Sequence, residues 1–196
     1  MQEQMQIFEQ GWAGKDTVCG WGSTIEHTEA IRRMLPNILK ITRSESMNDA
    51  GCGDLFWIQK LDLSNIDYIG YDLYERSTWP ALRDKGWKLQ TADITKEDLR
   101  PADLTMCRDV FIHLPNHLVL EALNRLKRTT KWLFTTNYTS VEPLYGFSNM
   151  ERMSSPRLQH AKLDLSIEPF NLGNPKLMMA ENHPYKYMTL WRLNGE

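Results

Sequence analysis

Apolar positions recur most regularly between Asn116 and Lys127. There Val119, Ala122, Leu123 and Leu126 stand at i, i+3, i+4 and i+7 and predict a helix with one buried stripe. The same spacing returns in Ile31, Met34, Leu35 and Ile38. Just upstream, Ser23-Thr24-Ile25-Glu26 has the form of a capping box, so this helix is expected to open at Ser23. Pro36 is expected to kink or break it near Leu35, because proline cannot donate the helical hydrogen bond. Shorter helices are predicted at Leu55–Ile58 and Thr78–Lys85, the second with Pro80 tolerated in its first turn.

Between these lie apolar runs of strand length: Tyr68–Leu73, Lys88–Ala92, Leu104–Cys107 and Lys131–Thr136. The first strand of the set, Ser44–Asn48, is anomalous, since a central parallel strand is ordinarily a Val/Ile/Leu run and this one offers only Met47. Strands alternating with helices imply an α/β fold with a mainly parallel sheet and helices on both faces. The last pair, near Lys176–Ala180 and Tyr187–Leu193, is joined by too few residues for a helical crossover and is expected to form an antiparallel hairpin. With no repeat and no linker, residues 1–196 read as a single domain. Residues 137–174 show little regular pattern and leave the carboxyl end of the fifth strand, where ligands of open α/β sheets bind. They carry Tyr138, Tyr145, Phe147, His160, Asp164 and Phe170 and are expected to recognise the substrate.

The candidate chemistry begins at Asp49-Ala50-Gly51-Cys52-Gly53-Asp54, a strand end followed by a tight glycine turn. Gly51 and Gly53 would let the backbone approach a ligand closely. A helix starting near Gly53 would aim free N–H groups at its polar tail. Asp72, at the end of the next strand, is placed to accept hydrogen bonds from two ribose hydroxyls. A dinucleotide fingerprint would carry a third glycine where Phe56 stands.

The D-x-G-x-G form with its distal acid instead resembles motif I of the class I methyltransferases that use S-adenosylmethionine, and the chain is similar to a small bacterial and phage group of them. The segments Tyr68–Leu73, Thr91–Thr95, Asp103–Leu114, Leu133–Thr136 and Tyr187–Leu193, with Gly22-Ser23 and Pro169–Leu172, resemble the successive parts of that Rossmann-like methyltransferase fold, a seven-stranded mostly parallel sheet with a C-terminal antiparallel hairpin. The resemblance implies S-adenosyl-L-methionine as cofactor and S-adenosyl-L-homocysteine as product. It implies that Asp49, Ala50, Gly51, Gly53 and the backbone of Cys107 face the amino-acid tail, Asp72 and Leu73 the ribose side, and Asp93 and Ile94 the adenine. Residues 1–22, with Phe8, Trp12 and Trp21 among glycines, are expected to form a lid-like segment.

Methyl transfer asks the protein mainly for alignment and exclusion of water, plus a base when the acceptor is protonated at neutral pH. The loop after the fourth strand offers Arg108, Asp109 and His113 as catalytic candidates. His113 is the first choice for the base, since imidazole titrates near neutrality. Asp109 could orient His113 or pair with Arg108. No third ligand accompanies Asp109 and His113, so no metal is expected. Adenine amino methylation goes with an Asn/Asp-Pro-Pro-aromatic loop and cytosine C5 methylation with Pro-Cys; Met106-Cys107-Arg108-Asp109-Val110 is neither.

Composition narrows the setting. With 41% hydrophobic and 24% charged residues the chain is globular, and no run approaches a membrane helix. Three cysteines without a CxxC pair suit a reducing cytoplasm, and Met1–Gln10 resembles neither a signal nor a transit peptide. A net charge of −2 lacks the basic excess of a protein that tracks nucleic acid, and the basic run Arg125–Lys131 suits a helix end. The expectation is a cytoplasmic methyltransferase acting on a small-molecule or saccharide acceptor at oxygen, without a membrane or a required nucleic acid. The alternatives are methylation of a nucleotide or nucleic acid, and a catalytically silent partner subunit that binds the cofactor.

Overall fold

The computed structural model describes residues 16–138, 149, 162–181 and 185–194. Phe8, Trp12, Tyr145, Phe147 and His160 lie outside the described residues, and with them most of the expected lid and substrate loop. Seven strands make one sheet: β1 (Ser46–Ala50), β2 (Asp67–Asp72), β3 (Leu89–Thr91), β4 (Ala102–Cys107), β5 (Thr130–Tyr138), β6 (Leu177–Ala180) and β7 (Lys186–Arg192). Their order is β3-β2-β1-β4-β5-β7-β6. The first five are mutually parallel, and β7 runs antiparallel to both β5 and β6. This is the mostly parallel sheet with a terminal hairpin that the sequence pattern implies.

Alternation along the strands sorts the core into two layers. Met47, Tyr68, Leu104, Met106, Phe134, Met188 and Leu190 face one side, where they meet Ile31, Leu35 and Ile38 of helix α1 (Glu29–Thr42) and Trp79 and Leu82 of the short helix α2 (Trp79–Arg83). Ala50, Ile69, Tyr71, Cys107, Leu133 and Trp191 face the other, against Val119, Ala122, Leu123 and Leu126 of helix α3 (Asn116–Thr129). The helical stripes read from the sequence are thus the faces that bury.

β1 sits at the centre of the sheet despite its polarity, two residues further along than expected. Each of its polar side chains has a hydrogen-bond partner. The Asn48 amide donates to the Arg100 carbonyl at 2.8 Å and accepts from Arg100 Nε at 3.2 Å. The Asp49 carboxylate accepts from the Tyr68 hydroxyl at 2.9 Å. Asp103 accepts from the Ser46 hydroxyl at 2.8 Å and from the Glu45 and Ser46 N–H groups at 3.0 Å each. A polar group costs little to bury when it is hydrogen-bonded, which is how a strand without valines holds this position.

Three helical expectations need correction. The capping box does not form: Ser23 ends a 3-10 turn (Trp21–Ser23), α1 starts only at Glu29, and the hydroxyl of the preceding Thr28 donates to the Thr24 carbonyl at 2.7 Å. Pro36 does not break α1, which runs on to Thr42. It lies on the exposed side, where water can serve the carbonyl left without a helical donor.

The helix expected from Gly53 is replaced by turns and a 3-10 turn at Ile58–Lys60. Leu55 adopts φ 58°, outside the helical region. The Phe56 N–H donates to the Asp54 carboxylate at 3.1 Å. The Gly53 carbonyl, which a helix would use, accepts from the Trp79 indole at 2.8 Å instead. No helix N-terminus therefore points into the site from this turn. Among the basic run, Arg125 and Arg128 pair with Asp98 at 3.1 and 2.6 Å, so these charges close surface ion pairs.

Candidate ligand-binding site

The sheet changes direction of winding between β1 and β4, and loops leaving the carboxyl ends of β1–β4 enclose a cavity of about 590 Å³. Gly51 and Gly53 come from the turn after β1, Asp72, Leu73 and Arg76 from the end of β2, and Ala92–Thr95 from beyond β3. Arg108, Asp109, Val110, His113 and Leu114 follow β4. The N-terminal segment Val18–Ser23, which ends in the 3-10 turn, supplies the remaining wall. A second, narrow pocket of about 30 Å³, bordered by Asp49, Gly51, Cys52, Gly53 and Arg108, shares Gly51, Gly53 and Arg108 with the cavity and forms its narrow extension along that wall.

Of the residues marked in the sequence, Gly51, Gly53, Asp72, Leu73, Asp93, Ile94, Arg108, Asp109 and His113 border the cavity, and Asp49 borders the extension. Ala50 and Cys107 do not. Ala50 is fully buried in the α3-side core, and Cys107 is fully buried with its carbonyl accepting from the Thr135 hydroxyl. Burial pushes the thiols of Cys52 and Cys107 well above their usual range, so neither offers a nucleophile.

The glycine turn is shaped by its protein neighbours as much as by room for a ligand. A Cβ on Gly51 (φ 90°) would stand 2.2 Å from Cγ2 of Val110, and one on Gly53 (φ 60°) 2.3 Å from the Cys19 sulfur. Cys19 belongs to the wall segment, which is fastened to the turn by Asp54. Its carboxylate accepts from the Thr17 hydroxyl at 2.7 Å and the Val18 N–H at 3.0 Å, and the Asp54 N–H donates to Cys19 Sγ at 3.3 Å. Sequence reasoning left Asp54 without a role, because its partners lie 36 and 37 residues away.

Asp72 is oriented from three sides. It accepts the Gly53 N–H at 2.9 Å on one oxygen, and Tyr74 N–H at 3.4 Å and the Arg76 guanidinium at 3.0 Å on the other. A carboxylate offers about four acceptor positions, so one remains for a ligand hydroxyl. Asp93 accepts from the Thr95 N–H and hydroxyl at 3.0 and 2.6 Å and pairs with Lys96 at 2.7 Å. Partial burial opposes ionisation there, but Lys96 and Thr95 hold the carboxyl below its ordinary value. Asp49 differs: burial pushes its carboxyl from 3.8 up to about 7, against the lowering effect of the Tyr68 hydroxyl.

Asp109 pairs with Arg108, Nη1 standing 3.3 Å from Oδ2. It also accepts from the Thr136 hydroxyl at 2.9 Å and from Lys186 at 2.8 and 2.9 Å on its two oxygens. Burial alone would raise this carboxyl, but Arg108 and Lys186 overcome it and hold it well below the carboxylate range. Its backbone is left-handed, φ 57°, which turns the side chain toward β5 and β7. His113 ends a 3-10 turn (Phe111–His113) and is buried at the cavity edge. Glu181 and Lys186, which complete this charged group, were missed in the sequence; nothing in local spacing links residues 73 and 77 positions apart. Among the described residues no group of three metal-ligating side chains comes together, and no helix is long and apolar enough to cross a membrane.

The cavity therefore joins an apolar slot (Leu73, Ile94, Val110, Leu114) to acids at the ends of β1, β2 and β3. Such a lining suits a nucleoside with a cationic or zwitterionic tail and opposes a polyphosphate.

No protein-family model and no curated protein matches the chain. Solved structures do. Magnesium protoporphyrin IX methyltransferase from Synechocystis PCC 6803, with bound SAH, superposes with a TM-score of 0.61 at 15% identity, covering 96% of this chain and 92% of that one. Human N-acetylserotonin methyltransferase in complex with SAM gives 0.58 at 14% identity, over 84% of this chain and 52% of that one. Mitomycin 7-O-methyltransferase gives 0.55 at 12% identity, over 87% of this chain and 58% of its own. The chain has the Rossmann-like fold that these methyltransferases share.

Proposed function

We propose that the protein is an S-adenosylmethionine-dependent methyltransferase that methylates a small-molecule or sugar-like acceptor at oxygen. The observation that carries the reading is the cavity at the carboxyl edge of this sheet, with an acid at the end of each of β1 and β2, another just past β3 and an apolar slot among them. Asp72, with one acceptor position left rather than the two expected from the sequence, would take one ribose hydroxyl, and Leu73, Ile94 and Val110 would enclose the adenine beside Asp93. Asp49 would face the tail's ammonium. When bound, the cofactor supplies a methyl group made electrophilic by a sulfonium.

The remaining work falls to the chain. Val18–Ser23 excludes water from the cavity, and the loop after β4 orients the acceptor. His113 would take the proton that the acceptor hydroxyl must give up for its oxygen to receive the methyl group. Asp109 is a poor choice for that proton, being fixed in the ionised state with its acceptor positions filled by Thr136, Lys186 and Arg108. Its part is to hold the loop.

Titration calorimetry with S-adenosylmethionine and S-adenosylhomocysteine, with NAD as control, tests the assignment. Micromolar binding of the first two and none of NAD is expected; binding of NAD alone would overturn it.

A further inference from the structure

Arg108 and Asp109 of the cavity wall pack with Glu181 and Lys186, which do not border the cavity; the four side chains are only 6%, 21%, 3% and 11% exposed. Two positive and two negative charges balance, and each stands within ion-pair distance of an opposite charge, although Glu181 Oε2 meets Lys186 without a hydrogen bond. Glu181 accepts from Arg108 Nε at 2.8 Å, and Asp109 pairs with Nη1 at 3.3 Å. Lys186 bridges Asp109 at 2.8 Å and the second oxygen of Glu181 at 3.0 Å. Two of the three guanidinium nitrogens are thus held by carboxylates. Among the described residues the third, Nη2, has no hydrogen-bond partner, and Arg108 borders both the cavity and its narrow extension.

A guanidinium fixed from behind and open along its remaining edge is a preset receptor for a carboxylate, which it can meet with parallel N–H groups. Asp49, on the wall of the same extension, is a receptor for a cation. Because Arg108 and Asp49 border one small pocket, a ligand group reaching it meets a receptor for an anion and one for a cation, the pair that an α-amino-acid group needs.

We propose that Arg108 receives the carboxylate of the cofactor's amino-acid tail, and that Glu181 and Lys186, from the C-terminal hairpin, are positioning residues that fix it there. Arg108 then moves no proton. This rests on the methyltransferase reading.

The test compares three ligands by calorimetry: S-adenosylhomocysteine, its decarboxylated analogue, which keeps the ammonium, and 5′-methylthioadenosine, which has no amino-acid tail. On the unaltered protein, loss of the carboxylate is expected to weaken binding roughly tenfold to a hundredfold, the scale of hydrogen bonds between charged groups. Arg108→Lys and Glu181→Gln should each weaken S-adenosylhomocysteine about tenfold and leave the other two ligands unchanged. Retained methylthioadenosine binding shows that the variants are folded, and selective loss of the tail's contribution is an effect that general destabilisation would not produce. Equal affinity of the unaltered protein for S-adenosylhomocysteine and its decarboxylated analogue overturns the inference while the cofactor assignment stands. Binding of none of the three overturns both.

Discussion

Replacing Asp49 by asparagine should stabilise the fold at neutral pH while loosening the grip on the ligand. The side chain is 3% exposed and accepts one hydrogen bond, from Tyr68 at 2.9 Å. The substitution keeps the shape and that acceptor, since an amide oxygen can take the same hydroxyl proton. What it removes is a charge whose burial raises the carboxyl from 3.8 to about 7. A raised carboxyl means that the folded state keeps a proton which the unfolded chain has already released. Stability therefore falls as the pH rises from about 4 to about 7 and stays at the lower level above it. Some three pKa units correspond to at most about 4 kcal/mol, and relaxation around the charge brings the expected gain at pH 8 to about 2 kcal/mol.

Urea or thermal unfolding at pH 5 and pH 8 reads the effect. Asp49→Asn should gain little at pH 5 and about 4–8 °C in midpoint at pH 8, the shift that about 2 kcal/mol makes in a chain of this size. A gap between the two proteins that does not grow with pH would refute the reasoning. The same variant should bind S-adenosylmethionine about tenfold more weakly at pH 8, because the ammonium of the tail loses its counter-charge. A site that stabilises the protein when disarmed is one where stability has been given up for binding.

Other substitutions separate the remaining roles. Asp72→Ala is expected to weaken S-adenosylhomocysteine by about 1.5–3 kcal/mol, measured by calorimetry, and unchanged affinity would remove it from the ribose contact. His113→Ala should lower single-turnover methyl transfer about 10²–10⁴-fold with cofactor affinity preserved, whereas loss of both together would make it a structural histidine. Gly51→Ala should unfold at markedly lower urea, since the added methyl would meet Val110 in a left-handed backbone; a midpoint like that of the unaltered protein would mean that the turn can move. Lys186→Met strips Asp109 and Glu181 of a shared cation and should cost about 3–5 kcal/mol in urea unfolding at pH 7; an unchanged midpoint would mean that Arg108 alone neutralises the pair.

The features legible in the sequence and those that were not differ in how far apart their causes lie along the chain. The stripe Val119, Ala122, Leu123 and Leu126 is buried as its spacing requires, because a helix's own period decides which face it turns inward. Strand ends are legible for the same reason: once the strands are placed, parallel register brings Asp49 level with Gly70, and Asp72 level with Thr91, at one edge of the sheet. The polar β1 looked weak because its compensation is distant, Arg100 lying 52 residues from Asn48. The helix after Gly53 was misread because its hydrogen bond is taken by Trp79, 26 residues on. The charged tetrad is the extreme case, with Arg108 and Asp109 completed by a hairpin more than seventy residues later. A single acid or base in a loop reads the same whether it meets substrate or is neutralised by a remote partner. The difference decides its chemistry: Asp109 alone could serve as a base, while Asp109 held by Arg108 and Lys186 is an anchor. The proton acceptor must then be sought at His113, the other titratable residue that the same loop brings to the cavity.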